Sequence, residues 1–193
     1  MIREAVICTL AADGQAHITP LGYRTRGTQV LLAPFVPSNT LDNLQRLPQA
    51  VLNFTDDVRI IAGALTGRRD WPTVPSHEVP VPRLAHCLAH WELEVTQYHP
   101  DPTRPEFACR IVKAENHAPF LGFNRAQAAV LELAILVSRL DWLAPETVLL
   151  EMSYLRRAVV KTAGPQEHEA WRWLEQAVAA HSLHRAAWEA GQA

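Results

Sequence analysis

Short apolar runs separated by turn residues fill the first part of the chain. Residues 2–10 and 15–20 are β-prone, and the turn signal at Gly14 between them predicts a hairpin. Residues 30–35 and 50–55 continue the pattern, and a strand is predicted for each. Because the connections between these strands are short, the pattern favours an antiparallel barrel or sandwich.

The middle of the chain adds two predicted strands and a proline-rich interval. Residues 90–98 alternate apolar and polar positions, as a half-exposed strand does. Residues 107–115 are predicted to form the strand next to it. Residues 40–47 predict a short helix, whereas residues 58–64 fit a short helix or a strand. Residues 67–83 are rich in proline and are predicted to be irregular.

After His117 the pattern changes from alternation to helical spacing. Residues 126–140 place apolar side chains three and four positions apart, which predicts a helix. Residues 148–157 fit either a helix or a strand. Beyond Gly164, residues 167–188 predict a second amphipathic helix.

Length and composition allow one domain with a small appendage. The chain has 193 residues, of which 48% are hydrophobic, enough to bury a sizeable core. We predict an α+β fold with a mainly β core, a barrel over residues 1–118 and a mostly helical subdomain over residues 119–193. In an alternative arrangement the helical part returns a strand to the barrel.

Charge and cysteine content narrow the possible partners. The net charge is −2, and no dense Lys/Arg block occurs, so nucleic acid is not expected as a partner. The longest apolar stretch, residues 126–143, is interrupted by charged residues, so no membrane association is expected. Three cysteines without paired spacing fit free thiols in a reducing cytoplasm.

A candidate anion site lies between the third predicted strand and the short helix, at Ser38, Asn39 and Thr40. The first amides of a helix lack internal partners and the helix dipole favours negative charge, so a phosphate can bind there without Lys or Arg. Asn43 lies one turn further along and can face the same anion. Ser, Asn and Thr are also the preferred N-caps, so a plain helix start is the alternative for the triplet alone.

Nine histidines raise the question of a metal site. His86, Cys87 and His90 offer ligands at close spacing, and His181 and His184 lie three apart on a predicted helix. A structural zinc site needs four ligands, typically in two spaced pairs, and no second pair is visible. We therefore predict no metal site and interpret these histidines as solvated or core residues.

No catalytic residue can be assigned from the sequence. The chain has no Gly-x-Ser-x-Gly elbow, no Walker-type phosphate loop and no Gly-x-Gly-x-x-Gly. Cys87 and Cys109 carry no signature of a nucleophile, and buried inert thiols are the usual state of such residues. Asp56 and Asp57 are adjacent, which favours a turn over a catalytic pair.

Three segments together resemble the FMN-binding split barrels of the flavin-reductase-like superfamily. They are residues 17–22, residues 35–44 with a Ser-x-Thr-x-x-Asn element, and residues 51–57. Within the superfamily the chain is similar to an uncharacterised family, a domain of unknown function found in archaea and some bacteria. The resemblance covers most of the chain, but residues 67–83 match no family element. Further family-like features are Phe123-Asn124-Arg125-Ala126, Glu132, Ser138-Arg139-Leu140 and Lys161-Thr162-Ala163-Gly164.

The resemblance implies a homodimer with one FMN per barrel near the subunit interface. It implies that the phosphate binds to four residues of the turn and helix, and that the edge of the isoalloxazine ring lies along two strands. The implied phosphate ligands are Ser38, Asn39, Thr40 and Asn43, and the implied ring contacts are His17, Ile18, Thr19, Asn53 and Thr55.

Two functions from different classes follow from the resemblance. The first is an FMN-binding flavoprotein, which as an enzyme would be an oxidoreductase of unknown substrate that takes electrons from a nicotinamide or another small redox partner. The second is a non-catalytic binding or assembly module built on a split barrel. Absorbance in the flavin bands and uptake of added FMN distinguish the two.

Overall fold

The computed structural model describes residues 1–192 and divides the chain into two units. The barrel unit comprises Met1–Asp56 and Asp70–Phe120, and the helical unit comprises Asp57–Arg69 and the chain from Leu121 onward. The sequence predicted a single change of character near residue 118. It did not predict that residues 57–69 belong with the helices.

Six antiparallel strands close a barrel in the order β1-β2-β3-β8-β7-β4. The prediction of an α+β fold with a mainly β core is therefore confirmed. The strands of the barrel are β1 (Arg3–Leu10), β2 (Ala16–Arg26), β3 (Gln29–Leu32), β4 (Gln49–Phe54), β7 (Ala89–His99) and β8 (Glu106–Asn116).

The two faces of the barrel wall follow from the strand register. Ile7 pairs with Leu52, and Leu52 pairs with Trp91, so these three side chains point to the inner face. The adjacent row, Val6–Asn53–His90, points to the outer face because successive residues of a strand alternate. The apolar core of the barrel includes Ala5, Ile7, Tyr23, Val30, Leu32, Leu52, Leu93, Phe107 and Cys109.

Helix α1 (Asn39–Arg46) connects β3 to β4. Leu41 and Leu44 lie three positions apart on one face of the helix, and both are buried in the barrel core. The exposed side of the helix carries Asp42, Gln45 and Arg46, whereas Thr40 and Asn43 are buried as well. This packing fixes the position of the N-terminus of α1 on the barrel.

The proline-rich stretch that the sequence predicted as irregular contains a short ladder, β5 (Thr73–Val74) with β6 (Arg83–Leu84). Residues 70–88, here called the covering segment, hydrogen-bond to the outer face of the barrel through Asn53 and Glu92. Proline limits the ladder because it donates no backbone hydrogen bond. Where the covering segment binds, the outer-face residues Asn53, His90 and Glu92 are fully buried.

The described residues of the helical unit form five helices. Asp57 caps α2, and Asn124 caps α3 by accepting hydrogen bonds from Ala126 N and Gln127 N. Residues 58–64 and 148–157, which the pattern left open, are helical. In the described part of the chain no helix is long and apolar enough to cross a membrane. The helices are α2 (Val58–Leu65), α3 (Arg125–Val137), α4 (Pro145–Thr162), α5 (Pro165–Ala180) and α6 (Arg185–Gln192).

The single helix predicted over residues 167–188 is instead two helices, with α5 ending at Ala180 and α6 beginning at Arg185. The turn between them buries His184, whose Nε2 lies 2.8 Å from the carbonyl oxygen of Leu140. The Leu140 carbonyl follows the end of α3, and the His184 ring gives it a hydrogen-bond partner. Between residue 121 and residue 192 the chain forms no strand, so no strand returns to the barrel.

Candidate functional site

Ser38, Asn39 and Thr40, here called the α1 start, form the first turn of α1. Ser38 is the N-cap in an extended conformation, and its Oγ accepts a hydrogen bond from Leu41 N at 3.3 Å. A hydroxyl that accepts a bond keeps its own hydrogen to donate. The α1 start therefore combines helix N-terminal amides with a side-chain donor, which are the groups that an anion site needs.

Asn43 connects α1 to the barrel. Its Nδ2 donates a hydrogen bond to Thr9 Oγ1 at 3.0 Å, and both side chains are buried. Thr40 is buried on the same helix. The sequence predicted that Asn43 faces the phosphate; the structure shows that one of its two N–H groups binds β1, so contact with an anion stays a prediction for the other.

The predicted ring contacts on β2 lie beside β1, the strand to which Asn43 is hydrogen-bonded. Thr9 pairs with His17, Cys8 with Ile18 and Ile7 with Thr19. His17 and Thr9 therefore share the inner-face row, whereas Ile18 is buried on the outer face. Thus α1 and the His17–Thr19 segment of β2 both contact β1. The structure therefore brings the predicted phosphate ligands and the predicted ring contacts on β2 to the same strand.

Asn53 on β4 has a different environment. Its side chain is fully buried; Nδ2 donates to Val6 O at 3.2 Å and Val51 O at 3.3 Å, and Oδ1 accepts from Leu84 N at 2.8 Å. Both ends of the amide are engaged within the barrel unit. Contact of the Asn53 side chain with flavin stays a prediction, and such a contact would have to compete with these hydrogen bonds. Thr55 follows the end of β4 and is half-buried.

An open depression of about 650 Å³ lies next to Asn53 and Thr55, at the end of β4 and the start of β7. The Phe54 ring in its wall packs edge-on against Trp91, with centroids 4.8 Å apart and planes at 77°. Apolar walls with a few polar groups are usual for small-molecule sites. The lining residues are Phe54, Leu88, Ala89, Asn116, His117, Ala118, Pro119 and Phe120.

A second polar region lies on the outer face of the barrel, here called the outer-face cluster. Glu92 is fully buried and accepts backbone hydrogen bonds from His77 at 2.8 Å, Glu78 at 2.6 Å and Val79 at 3.0 Å. Burial alone would raise the pKa of Glu92, but these bonds and one from His90 outweigh it and lower the pKa. The cluster consists of Asn53, His90, Glu92, Glu115 and His117.

Two family models match the sequence. The N-terminal domain model of DUF447, described as a protein of unknown function, matches residues 3–118, and a second DUF447 model matches residues 124–176. The chain belongs to the DUF447 family. The family resemblance predicted from the sequence is thus confirmed.

Solved structures agree on the fold of this DUF447 chain. An FMN-bound DUF447 protein from Methanosarcina mazei matches with a TM-score of 0.78 at 18% identity, over 91% of this chain and 94% of that one. Flavoredoxin from Methanosarcina acetivorans matches with a TM-score of 0.54 at 15% identity, over 63% of this chain and 72% of that one. The 2-nitrobenzoate 2-nitroreductase from Pseudomonas fluorescens matches with a TM-score of 0.51 at 20% identity, over 59% of this chain and 64% of that one. The barrel has the same fold as the barrels of these three proteins; no curated protein matches the chain.

The outer-face cluster of the DUF447 chain was missed by sequence reasoning. His90 was weighed with Cys87, but the Cys87 thiol lies 3.5 Å from the carbonyl oxygen of Leu84, whereas His90 pairs with Glu115 across β7 and β8. One signal was present. His90, Glu92 and Glu94 occupy the same face of a strand, and three ionisable residues in a row mark a face that needs either water or polar partners.

Proposed function

We propose that this DUF447 chain is an FMN-binding flavoprotein whose α1 start holds the phosphate. The observation that carries the proposal is the geometry of Ser38, which caps α1 through Leu41 N while keeping a hydroxyl hydrogen for an anion. The FMN-bound family member from Methanosarcina mazei, similar over 91% of this chain, supports the choice of flavin.

The charge balance at the α1 start fits a phosphate held by dipoles instead of ion pairs. The helix N-terminus carries about half a positive charge, and the Ser38 hydroxyl adds a donor. Asp42, in the first turn and exposed, opposes an anion. Arg46 lies at the other end of α1 and donates to the carbonyl oxygen of Leu10. We therefore expect affinity to depend on backbone amides more than on side-chain charge.

The residues around the α1 start position it. The Asn43–Thr9 hydrogen bond holds the helix against β1, and β1 pairs with the His17–Thr19 segment that is proposed to border the ring. FMN, when bound, supplies hydride or electron transfer. The protein supplies a rigid phosphate anchor, and the proposed ring edge lies along backbone groups of β2 and beside Thr55.

We further propose that the protein is a cytoplasmic homodimer with one FMN per barrel, acting as an oxidoreductase that takes electrons from a small reduced carrier such as a nicotinamide. All three cysteines are free and buried, which suits a reducing compartment. Light scattering of the purified chain tests the dimer. Oxidation of NADH or NADPH by the FMN-loaded protein tests the electron donor.

A non-catalytic assembly module is the second candidate, and one observation favours it. Three large apolar side chains of α4 are strongly exposed: Leu150 at 72%, Tyr154 at 70% and Val160 at 75%. Exposed apolar residues of this size on one helix are typical of a protein contact. A chain that does not take up FMN would favour this second function.

The deciding experiment compares FMN with riboflavin, which lacks the phosphate. Asp is as good an N-cap as Ser, so Ser38→Asp keeps α1 capped but places a carboxylate where the phosphate is proposed to bind. We expect at least a tenfold weaker FMN affinity in this variant, measured by quenching of flavin fluorescence. Riboflavin affinity should change little.

The matched control is Ser153→Asp, which adds the same charge at an exposed position of α4 in the helical unit. It should bind FMN like the parent chain. Equal losses for FMN and riboflavin in Ser38→Asp would place the phosphate elsewhere. No binding of either flavin by the parent chain would reject the flavoprotein proposal.

A further inference from the structure

The outer-face cluster brings two imidazoles and a carboxylate into one small volume. His90 pairs directly with Glu115 across β7 and β8, and His117 follows the end of β8. His90 Nδ1 and His117 Nε2 lie 2.8 Å apart, and their rings stack at 10° with centroids 5.0 Å apart. One ligand atom from each of the three residues lies within 4.8 Å of the others.

Glu92 fixes which nitrogen of His90 is available. Its carboxylate is held in the ionised form by three backbone amides, and Oε1 lies 3.2 Å from His90 Nε2. An ionised carboxylate only accepts hydrogen bonds, so Nε2 of His90 carries the hydrogen. The lone pair of Nδ1 therefore points towards His117. A carboxylate behind a histidine is the usual support of a metal-bound imidazole.

His117 and Glu115 complete the set. His117 is exposed just after the end of β8, and its Nε2 faces His90 Nδ1. Glu115 Oε2 is a buried oxygen without a hydrogen bond in the described part of the chain, and its contact is His77 Nε2 at 3.4 Å. A buried carboxylate oxygen beside the ring nitrogens of two histidines is a suitable metal ligand.

We propose that His90 Nδ1, His117 Nε2 and Glu115 form a binding site for a divalent transition metal of the zinc class. Two histidines and one glutamate are the ligand set of several zinc sites that keep one position open. His117 also lines the open depression of the barrel unit, so the fourth position is accessible to water or a small ligand. Glu92 is a positioning residue that acts through His90.

The rearrangement needed for binding is small. Two nitrogens bound to one tetrahedral zinc lie about 3.3 Å apart, given bond lengths of about 2.05 Å. The ring nitrogens at 2.8 Å must therefore separate by about half an ångström. The exposed His117 can make that movement, and it shifts its hydrogen from Nε2 to Nδ1 without net proton release. The positive charge of Arg83 opposes the cation and limits its affinity.

The test titrates Zn²⁺ into the untagged, chelator-treated full chain without flavin, and it follows heat and displacement from a chromophoric chelator. We expect one Zn²⁺ per chain in the parent. His117→Ala and the isosteric Glu115→Gln should each weaken binding by at least tenfold. His99→Ala, an exposed histidine at the end of the same strand β7, should bind normally.

The visible absorption spectrum of bound Co²⁺ reports which types of atom bind the metal. Binding through nitrogen and oxygen gives visible bands without the sulfur-to-cobalt charge-transfer band that Cys8, Cys87 or Cys109 would produce. Glu92→Gln should shift the Co²⁺ spectrum and weaken binding, because it reorients His90. Absence of binding by the parent, or binding that survives both His117→Ala and Glu115→Gln, would overturn the proposal. The Ser38→Asp variant should bind metal normally, which separates this site from the flavin proposal.

Discussion

The α1 start and the outer-face cluster are two polar regions of the barrel unit that are built differently. The α1 start is contiguous in sequence and consists of small neutral side chains and backbone amides around Ser38. The outer-face cluster joins residues of β4, β7 and β8 with His117, and its charged Glu92 is fully buried and binds the covering segment. The first region can be altered at low cost to the fold, whereas the second is part of what holds the covering segment to the barrel.

The largest effect is expected for Glu92→Ala. The change removes the acceptor of the amides of residues 77–79 and of His90, and it leaves the donors of Val79 and His90 buried and unpaired. We expect a loss of about 3–5 kcal/mol in the free energy of unfolding, because several hydrogen bonds to one ionised carboxylate are lost together and each donor left buried and unpaired costs about 1–3 kcal/mol. Urea denaturation followed by tryptophan fluorescence measures it.

Glu94→Ala is the matched control for that loss. Glu94 lies two residues further along β7 on the same outer face, but it pairs with Arg110 near solvent, and that pairing lowers its pKa. Exposed ion pairs contribute little, so stability should change far less than in Glu92→Ala. Similar losses in the two variants would mean that the covering segment does not depend on Glu92.

The next prediction concerns the order in which thiols react. Burial raises the pKa of Cys8 and of Cys109 to about 12 and also raises that of Cys87. At pH 8 a thiol with that pKa is ionised at about one part in ten thousand, so alkylation of the folded chain should be slow. Cys87 belongs to the covering segment, Cys8 lies on the outer face that borders Asn53, and Cys109 lies in the barrel core.

Local opening of the covering segment should therefore expose thiols in sequence. We expect iodoacetamide to modify Cys87 first, Cys8 second and Cys109 last, with peptide mass spectrometry reading each rate. The unfolded chain, in which the three rates should converge, is the control. Modification of Cys8 at the rate of a free thiol would show that the covering segment does not protect the outer face.

The contrast between the two polar regions also explains what the sequence could predict. Ser38 and its neighbours were recognisable because capping chemistry acts over three or four consecutive residues. The strands of the barrel were recognisable for the same reason, since inner-face residues such as Ile7 and Leu52 lie in short apolar runs bounded by turn residues.

The outer-face cluster and the break before α6 were not recognisable because they depend on tertiary contacts. His90 meets Glu115 only through the register of β7 with β8, and a shift of one residue would place it on the other face. His184 ends a predicted helix because the carbonyl of Leu140, far away in sequence, needs a partner. Local periodicity contains neither piece of information.

The smallest expected effect is for Asp42→Asn at the α1 start. Asp42 is exposed in the first turn of α1, where its charge stabilises the helix but repels a phosphate. Removing the charge should tighten FMN binding about two- to fivefold, while the free energy of unfolding falls by about 0.3–1 kcal/mol. Riboflavin affinity should not change, and added salt should diminish the gain. Glu151→Gln, the same charge change at an exposed site on α4, should alter neither quantity. If Asp42→Asn weakened FMN binding, the phosphate would not lie at the α1 start, because the removal of a nearby negative charge can only favour an anion there.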